Sequence, residues 1–590
     1  MKVTGDIYDP LPLYRDSLRA LFRENAEAFF AGLAAKSGVD EQANATAVAE
    51  INALESDLAR ARSAKTFWGW AVGILIAALA VSAITLVGRI GEGALEIPVS
   101  LGSLAAVAAV SASALFGLAL PKRRKCSAIV KEKEETLEGK KAEAWAQMAP
   151  LNALFDWGDA ARIIEKTVPR IAFDPFFTQG RLDELRSLFS WDDAFNENKS
   201  VLGAQSGEIN GNPFVFGRLL QMNWGEKTYT GSRTVSWTAL EHGSDGKLRT
   251  VRRSQTLTAH VTKPCPEYSQ DVLLIYGNDA APNLSFSREP SELSSAGDGF
   301  FARRRLNREI KSLEKFSRNL DDQYGYMIMG NREFEARFQT RDRSDEVEYR
   351  LLFTPLAQKQ MLELIKDDSV GYGDDFSFLK RRKINVVRAD HLSATDLDSN
   401  PAKFAGYDFK SVKAGFLGFC ETFFKSTYFA LAPILSIPLY QQTRTHADIY
   451  KGVAGRAASF WEHESLANFL GEERFRHPDS ETRNILKTSV ANRDGNVATV
   501  AVTAHGFRIE RRTDIVKVCA NNGRLYDVSV DWDEYLPVSR TTQIRAAEKD
   551  GMTKPEFDRA VTGDESLRRF FSDWGADAAA AKFRRSIMSF

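Results

Sequence analysis

Two charge-free apolar runs, residues 67–88 and 97–121, stand only a short linker apart in this chain. An α-helix rises about 1.5 Å per residue, so about 20 apolar residues cross the roughly 30 Å hydrocarbon core of a bilayer. Both runs exceed that length, and the pattern predicts a two-helix transmembrane hairpin over 67–121. A buried helical hairpin in a large soluble core is the competing reading, but continuous runs this long without one charge disfavour it. The first run begins after many charged residues, which marks it as an internal signal anchor rather than a cleaved signal peptide.

Charge around the hairpin predicts its orientation. Arg60, Arg62 and Lys65 precede the first run, Lys122, Arg123, Arg124 and Lys125 follow the second, and Arg89 is the only cation of the 89–96 linker. Short flanks rich in Lys and Arg stay on the cytoplasmic side. The expectation is therefore a bacterial inner (plasma) membrane protein with two spans and both termini cytoplasmic. Phe67, Trp68 and Trp70 sit at the inner boundary, where amphipathic rings favour the headgroup region. With Lys122, Arg123, Arg124 and Lys125 they form the expected membrane-contact set.

The 590 residues carry no formal net charge, and no aromatic-basic interleaving favours nucleic acid. The expected partners are membrane lipids and a protein, with a homo-oligomer as a further possibility. Four cysteines, Cys126, Cys265, Cys420 and Cys519, lie far apart without a CxxC pair. That argues against a disulfide framework and a structural zinc site. No cofactor or metal is expected.

The rest of the chain reads as α+β. Cytosolic helices occupy 1–66, a helical stalk and connector 122–190, a β-rich unit 191–290, and an α+β unit 291–415. An apolar segment at 416–442, a second β-rich unit at 443–545 and a helical tail at 546–590 complete it. The stretches flanking the hairpin are expected to pair as a short antiparallel stalk, with Val48, Ile51, Leu54 and Leu58 facing Ile129, Leu137, Ala144 and Trp145. Residues 18–33 read as an amphipathic helix. Asn210-Gly211 between two alternating runs predicts a type I′ hairpin, and 228–240 with 248–261 predicts a second. Farther on, 303–320 reads as helix, 333–340 and 346–354 as strands, 355–366 as helix and 384–389 as strand. Residues 426–442 are apolar but too short to span and hold Pro433 and Pro438, which leaves two readings: a buried core segment or partner groove, or an interfacial or re-entrant segment docking the body onto the bilayer.

The stretch Phe334-Glu335-Ala336-Arg337-Phe338 through Asp345-Glu346-Val347-Glu348-Tyr349-Arg350-Leu351-Leu352-Phe353-Thr354-Pro355 to Met361-Leu362-Glu363-Leu364 resembles a family of bacterial inner-membrane proteins catalogued only as a domain of unknown function. The segment Gly207-Glu208-Ile209-Asn210-Gly211-Asn212-Pro213-Phe214-Val215-Phe216 resembles the same family's glycine-turn-phenylalanine pattern. The similarity covers residues 60 to 390. It implies a membrane hairpin ahead of a cytosolic α+β domain and supplies no catalytic residues.

Catalytic patterns are sparse. His463-Glu464-Ser465-Leu466-Ala467 begins like HExxH, but Ala467 removes the second ligand. His463, Glu464, His477 and His505 are the candidate catalytic residues if the fold brings them together. Asp367, Asp368, Asp374 and Asp375 around Gly371-Tyr372-Gly373 offer oxygen ligands for a hard cation, or form a solvated acidic loop. Two functions follow: a membrane-anchored interaction or scaffold protein, or a membrane-associated enzyme acting on a lipid or envelope precursor.

Overall fold

The computed structural model describes residues 9–91, 98–174, 176–242, 247–291, 293, 299–318, 326–443, 457–495, 497–548, 581–583 and 586–589. The chain divides into two compact units, one of Met1–Ala26, Asp156–Asn400 and Phe419–Phe590, the other of Glu27–Phe155 and Pro401–Gly418. The architecture is α+β.

In the smaller unit, one helix runs unbroken over Glu41–Gly91. Helix Pro98–Ala114, a five-residue π turn at Leu115–Ala119 and helix Leu120–Asn152 return alongside it. Ile51 and Leu58 interlock with Val130, Leu137 and Ala144, and Leu54 and Ala61 pack at the margin. Ion pairs Arg62–Glu134, Asp57–Lys133, Glu55–Lys141 and Glu50–Lys140 flank the seam in antiparallel order. The stalk thus exists, but three expected seam residues are corrected, Ala47 packing against the seam in place of Val48. Ile129 and Trp145 are 45% and 44% exposed, and Val130 fills the place expected of Ile129, because a seam residue must follow the helical stripe through Leu137 and Ala144. The stalk helix ends at Asn152, and helices Asp159–Thr167 and Gln179–Phe189 follow in the chain within the expected connector. Nearer the hairpin, Val72, Leu115 and Ala119 are buried with Trp68 and Leu75 against them. Among the described residues one helix, over Glu41–Thr85, is long and apolar enough to cross a membrane. Linker residues 92–97 lie outside the described residues.

The larger unit holds two antiparallel sheets. The first has strand order β1-β2-β3-β4-β7-β6-β5. Its strands are β1 Ile171–Phe173, β2 Lys199–Ile209, β3 Asn212–His242, β4 Leu248–Gly277, β5 Ser285–Arg288, β6 Phe376–Arg381 and β7 Ile384–Ala389. The units expected at 191–290 and 291–415 therefore share one sheet. Asn210 at φ 53° and Gly211 at φ 79° make the turn between β2 and β3, as their residue types require. β3 merges two expected strands into one and β4 runs well beyond the expected 248–261, the two pairing from Phe214–Tyr276 to His242–Leu248. The 243–246 turn lies outside the described residues.

The second sheet contains β8 Ile485–Asp494, β9 Val497–Cys519 and β10 Leu525–Glu548, with β11 Ala581–Phe583 and β12 Ser586–Ser589 beyond β10. The strands at 581–589 replace helix in the described part of the expected tail; 549–580 lie outside it.

The segments expected as strands at 333–340 and 346–354 are the helices Arg332–Phe338 and Glu346–Leu352. The Asn331 and Asp345 side chains accept from the Phe334 and Glu348 amides, and these N-caps commit the backbone to helix where a short apolar run is ambiguous. Membrane docking by 426–442 is likewise overturned. Helix Phe409–Leu435 carries through Pro433 in its last turn, and Phe424, Tyr428, Leu431, Ile434, Leu435 and Tyr440 are all at most 1% exposed. The segment is buried core, stacking Phe22 on Phe424 at 4.3 Å.

Candidate functional site

Helix Phe460–Leu470 joins the two sheets. Trp461 enters the core of the first sheet with Phe177, Trp191 and Leu219, and Leu466 and Ala467 enter that of the second with Leu486, Val500 and Ile544. Between these anchors the helix carries His463 and Glu464, each 1% exposed. The Glu464 carboxylate accepts from the Val201 amide at 3.1 Å and from Lys487 Nζ at 3.4 Å. Burial pushes its pKa up to about 7, against the pull of Lys487. Burial lowers His463 to about 4, with Arg493 adding to the effect, and neither ring nitrogen has a hydrogen-bond partner among the described residues.

The other two candidates lie elsewhere in the hydrogen-bond network. His505 is exposed on β9, with its pKa lowered first by partial burial and then by Lys487. His477 accepts from the Asp479 amide at 3.2 Å through Nδ1. Glu464 and His505 thus share the influence of Lys487, but no hydrogen bond or ion pair joins any two of the four candidates among the described residues. Nor does any group of three His, Cys, Asp or Glu suited to a metal occur among them.

The acidic loop groups no metal site among the described residues; Asp368 is exposed to solvent, and protein groups engage the other three carboxylates. Asp374 pairs with the fully buried Arg288 and accepts from the Ser291 amide, Asp367 accepts from the Gly371 amide at 2.6 Å, and Asp375 meets His391 Nδ1. His391 escaped the sequence reading because its partners are distant in the chain. Its ring stacks on Tyr372 with centroids 3.9 Å apart, and Nε2 faces the Ser426 carbonyl at 2.9 Å. The Ser426 hydroxyl turns instead to Tyr372 and Thr395. This Asp–His–Ser grouping therefore clamps helix Phe409–Leu435 and lacks the hydroxyl-to-imidazole bond that would activate a nucleophile.

A cavity of about 330 Å³ opens on the face of the first sheet opposite Trp461. Phe216 and Val272 form its floor, with Phe423, Trp157 and Leu397 around it. It begins where β2 bulges between Val201 and Gly203, a distortion that displaces Leu202 to the rim. Arg218 lines it directly across from Gly203, and a Cβ placed on Gly203 would meet no atom within 4 Å. Sequence reading missed this site because its lining comes from nine separated segments.

No protein-family model, curated protein or solved structure matches this chain.

Proposed function

We propose that this protein is a membrane-anchored interaction or scaffold protein of the bacterial inner membrane, held by a two-helix hairpin at 67–121 with both termini in the cytoplasm. The observation carrying this reading is the outward apolar surface of the paired helices: Phe67, Trp70, Ile74, Ile84, Val110 and Phe116 are each at least 65% exposed. In water such a surface would cost about 25 cal/mol for each Å² left uncovered, whereas in lipid it is solvated. The basic residues at both ends of the hairpin and the family resemblance support the same orientation.

The interaction role rests on the β3–β4 ribbon. β3 pairs with β2 only as far as Gln221, and β4 pairs with β7 only from Leu274 onward, so both outer edges continue without a strand partner among the described residues. Such edges accept an added strand from another chain. The ribbon's far end exposes Leu240, Leu248 and Val251. A membrane-associated enzyme built on His463 and Glu464 is less well supported, since both are enclosed between the cores.

Two measurements test the reading. In Gly93→Cys, an impermeant thiol reagent applied to intact cells should label position 93, whereas the exposed native Cys519 should react only after permeabilisation. Labelling of Cys519 from outside would overturn the topology. Crosslinking the full chain in native membranes should then recover a stoichiometric protein, and recovery of none would overturn the scaffold role.

A further inference from the structure

We propose that the cavity above β2–β4 binds an amphipathic anion, an apolar chain or ring system carrying a carboxylate or phosphate, with Arg218 holding the anionic end. The site is distinct from the hairpin and from the ribbon. Its volume of about 330 Å³ falls within the size of small-molecule sites, and its walls are mainly aromatic and aliphatic. Such a lining favours the apolar body of a ligand, and a few polar groups then fix its direction.

Arg218 is the group that selects charge. Other enclosed guanidinium groups in this unit have carboxylate partners: Arg288 with Asp374, Arg343 with Glu335, and Arg181 with Asp174. Arg218 donates through Nε to the neutral Gln270 side chain at 3.3 Å and makes no ion pair among the described residues. Its remaining donors match the paired oxygens of a carboxylate or phosphate. Space for those oxygens comes from Gly203, the cross-strand neighbour of Arg218, whose missing side chain leaves open volume beside the guanidinium. Asp398 also lines the cavity, but its carboxylate accepts from the Asn400 amide at 3.2 Å, and Arg483, another lining residue, is paired with Glu472 at 3.5 Å. Arg218 is thus the lining cation without a carboxylate partner among the described residues, and it favours an anion over an alkylamine.

The anionic group has two sources, a free carboxylate or the phosphate of a membrane lipid. The full chain, reconstituted in phosphatidylcholine nanodiscs, is irradiated with a diazirine-bearing hexadecanoate, and labelled peptides are mapped by mass spectrometry. A second arm uses a diazirine-bearing phosphatidylglycerol. Label should fall on peptides spanning 202–218 and 397–427, and a same-length diazirine alcohol or amine should label them at least about fivefold less, the loss expected for one charge-assisted contact. Arg218→Gln should reduce cavity label by a similar factor, Arg218→Lys should recover part of it, and Gly203→Leu should block it. Circular dichroism of each variant separates loss of binding from loss of fold. Stronger label from the free acid assigns a carboxylate, and stronger label from the lipid assigns its phosphate. Label confined to the apolar hairpin, equal label from the alcohol, or an Arg218→Gln protein that labels normally would each overturn the proposal. Label on the hairpin reports bilayer insertion separately from cavity binding.

Discussion

His463 and Glu464 adjoin in sequence yet respond to pH in opposite directions. His463 is held neutral in the folded state, at about 4, whereas an unfolded chain takes up its proton near the ordinary value of about 6.5. Its contribution to stability is present above pH 6.5 and is lost as pH falls toward 4, by at most about 1.4 kcal/mol per unit. Glu464, raised to about 7, keeps its proton in the folded state while the unfolded chain releases it above about 4.3, so its contribution declines as pH rises through that interval. The two slopes partly cancel in the native protein. Thermal unfolding of His463→Leu should therefore gain on the native chain as pH falls from 6.5 to 4, by about 1–3 kcal/mol. Glu464→Gln loses the contact with Lys487, but should gain relative to the native chain as pH rises from 4.5 to 7. Flat difference curves for both would sink this assignment. A second residue-scale test is Gly217→Ala, whose Cβ would lie 2.8 Å from the Trp461 ring; the resulting overpacking should cost about 1–3 kcal/mol in denaturant unfolding. The sequence displayed the HExx start and its missing ligand, but not the burial, because the two cores that enclose the helix come from strands far away in the chain.

Elements differed in legibility according to how much of their determinant was local. The Ile51–Leu58 stripe was readable because coiled pairing needs only a repeated apolar spacing, whereas the partner stripe, interrupted by charges and Ala, misled by one residue at Ile129. Seam and rim should separate energetically. Leu58→Ala is expected to cost about 2–4 kcal/mol, and Arg62→Ala, whose ion pair with Glu134 is largely exposed, about 0–1 kcal/mol, as read by thermal unfolding of the full chain. Comparable losses from both would mean that charge rather than packing holds the stalk. Helices Arg332–Phe338 and Glu346–Leu352 were misread as strands although their caps lay in plain view. Asp345→Ala should destabilise by about 1 kcal/mol by leaving the Glu348 amide without its acceptor. The apolar 426–442 segment was ambiguous for a different reason: hydrophobicity records that a surface must leave water, and only tertiary packing decides between lipid and core.

At the scale of the whole molecule, the β3–β4 ribbon is the part that folding needs least and binding can use most. Its middle is covered by β9–β10: Val235, Leu257 and Ala259 pack against Val528 and Val530, Lys227 pairs with Asp533, and Gly231 lies so close to the Ser529 carbonyl that a Cβ would fall 2.0 Å away. This cover ends near the β9–β10 turn, where the Asn521 amide reaches Gln255. The sequence revealed both hairpin ends but not the continuous strands, because Asn223, Gly225 and Glu226 interrupt the alternation where β3 leaves its neighbour β2. Past Trp237 no described residue of the ribbon joins this packed cluster. Removing 238–252 and joining Trp237 to Arg253 through Asn-Gly preserves a register that a two-residue turn can close. The shortened protein should unfold within about 2 °C of the native chain, since it loses few buried contacts, and its cavity should still take up the photoactivatable acid. Its crosslinked protein partner should disappear. Retention of that partner would move the interaction surface away from the ribbon tip, and a large fall in unfolding temperature would show that the tip stabilises the body.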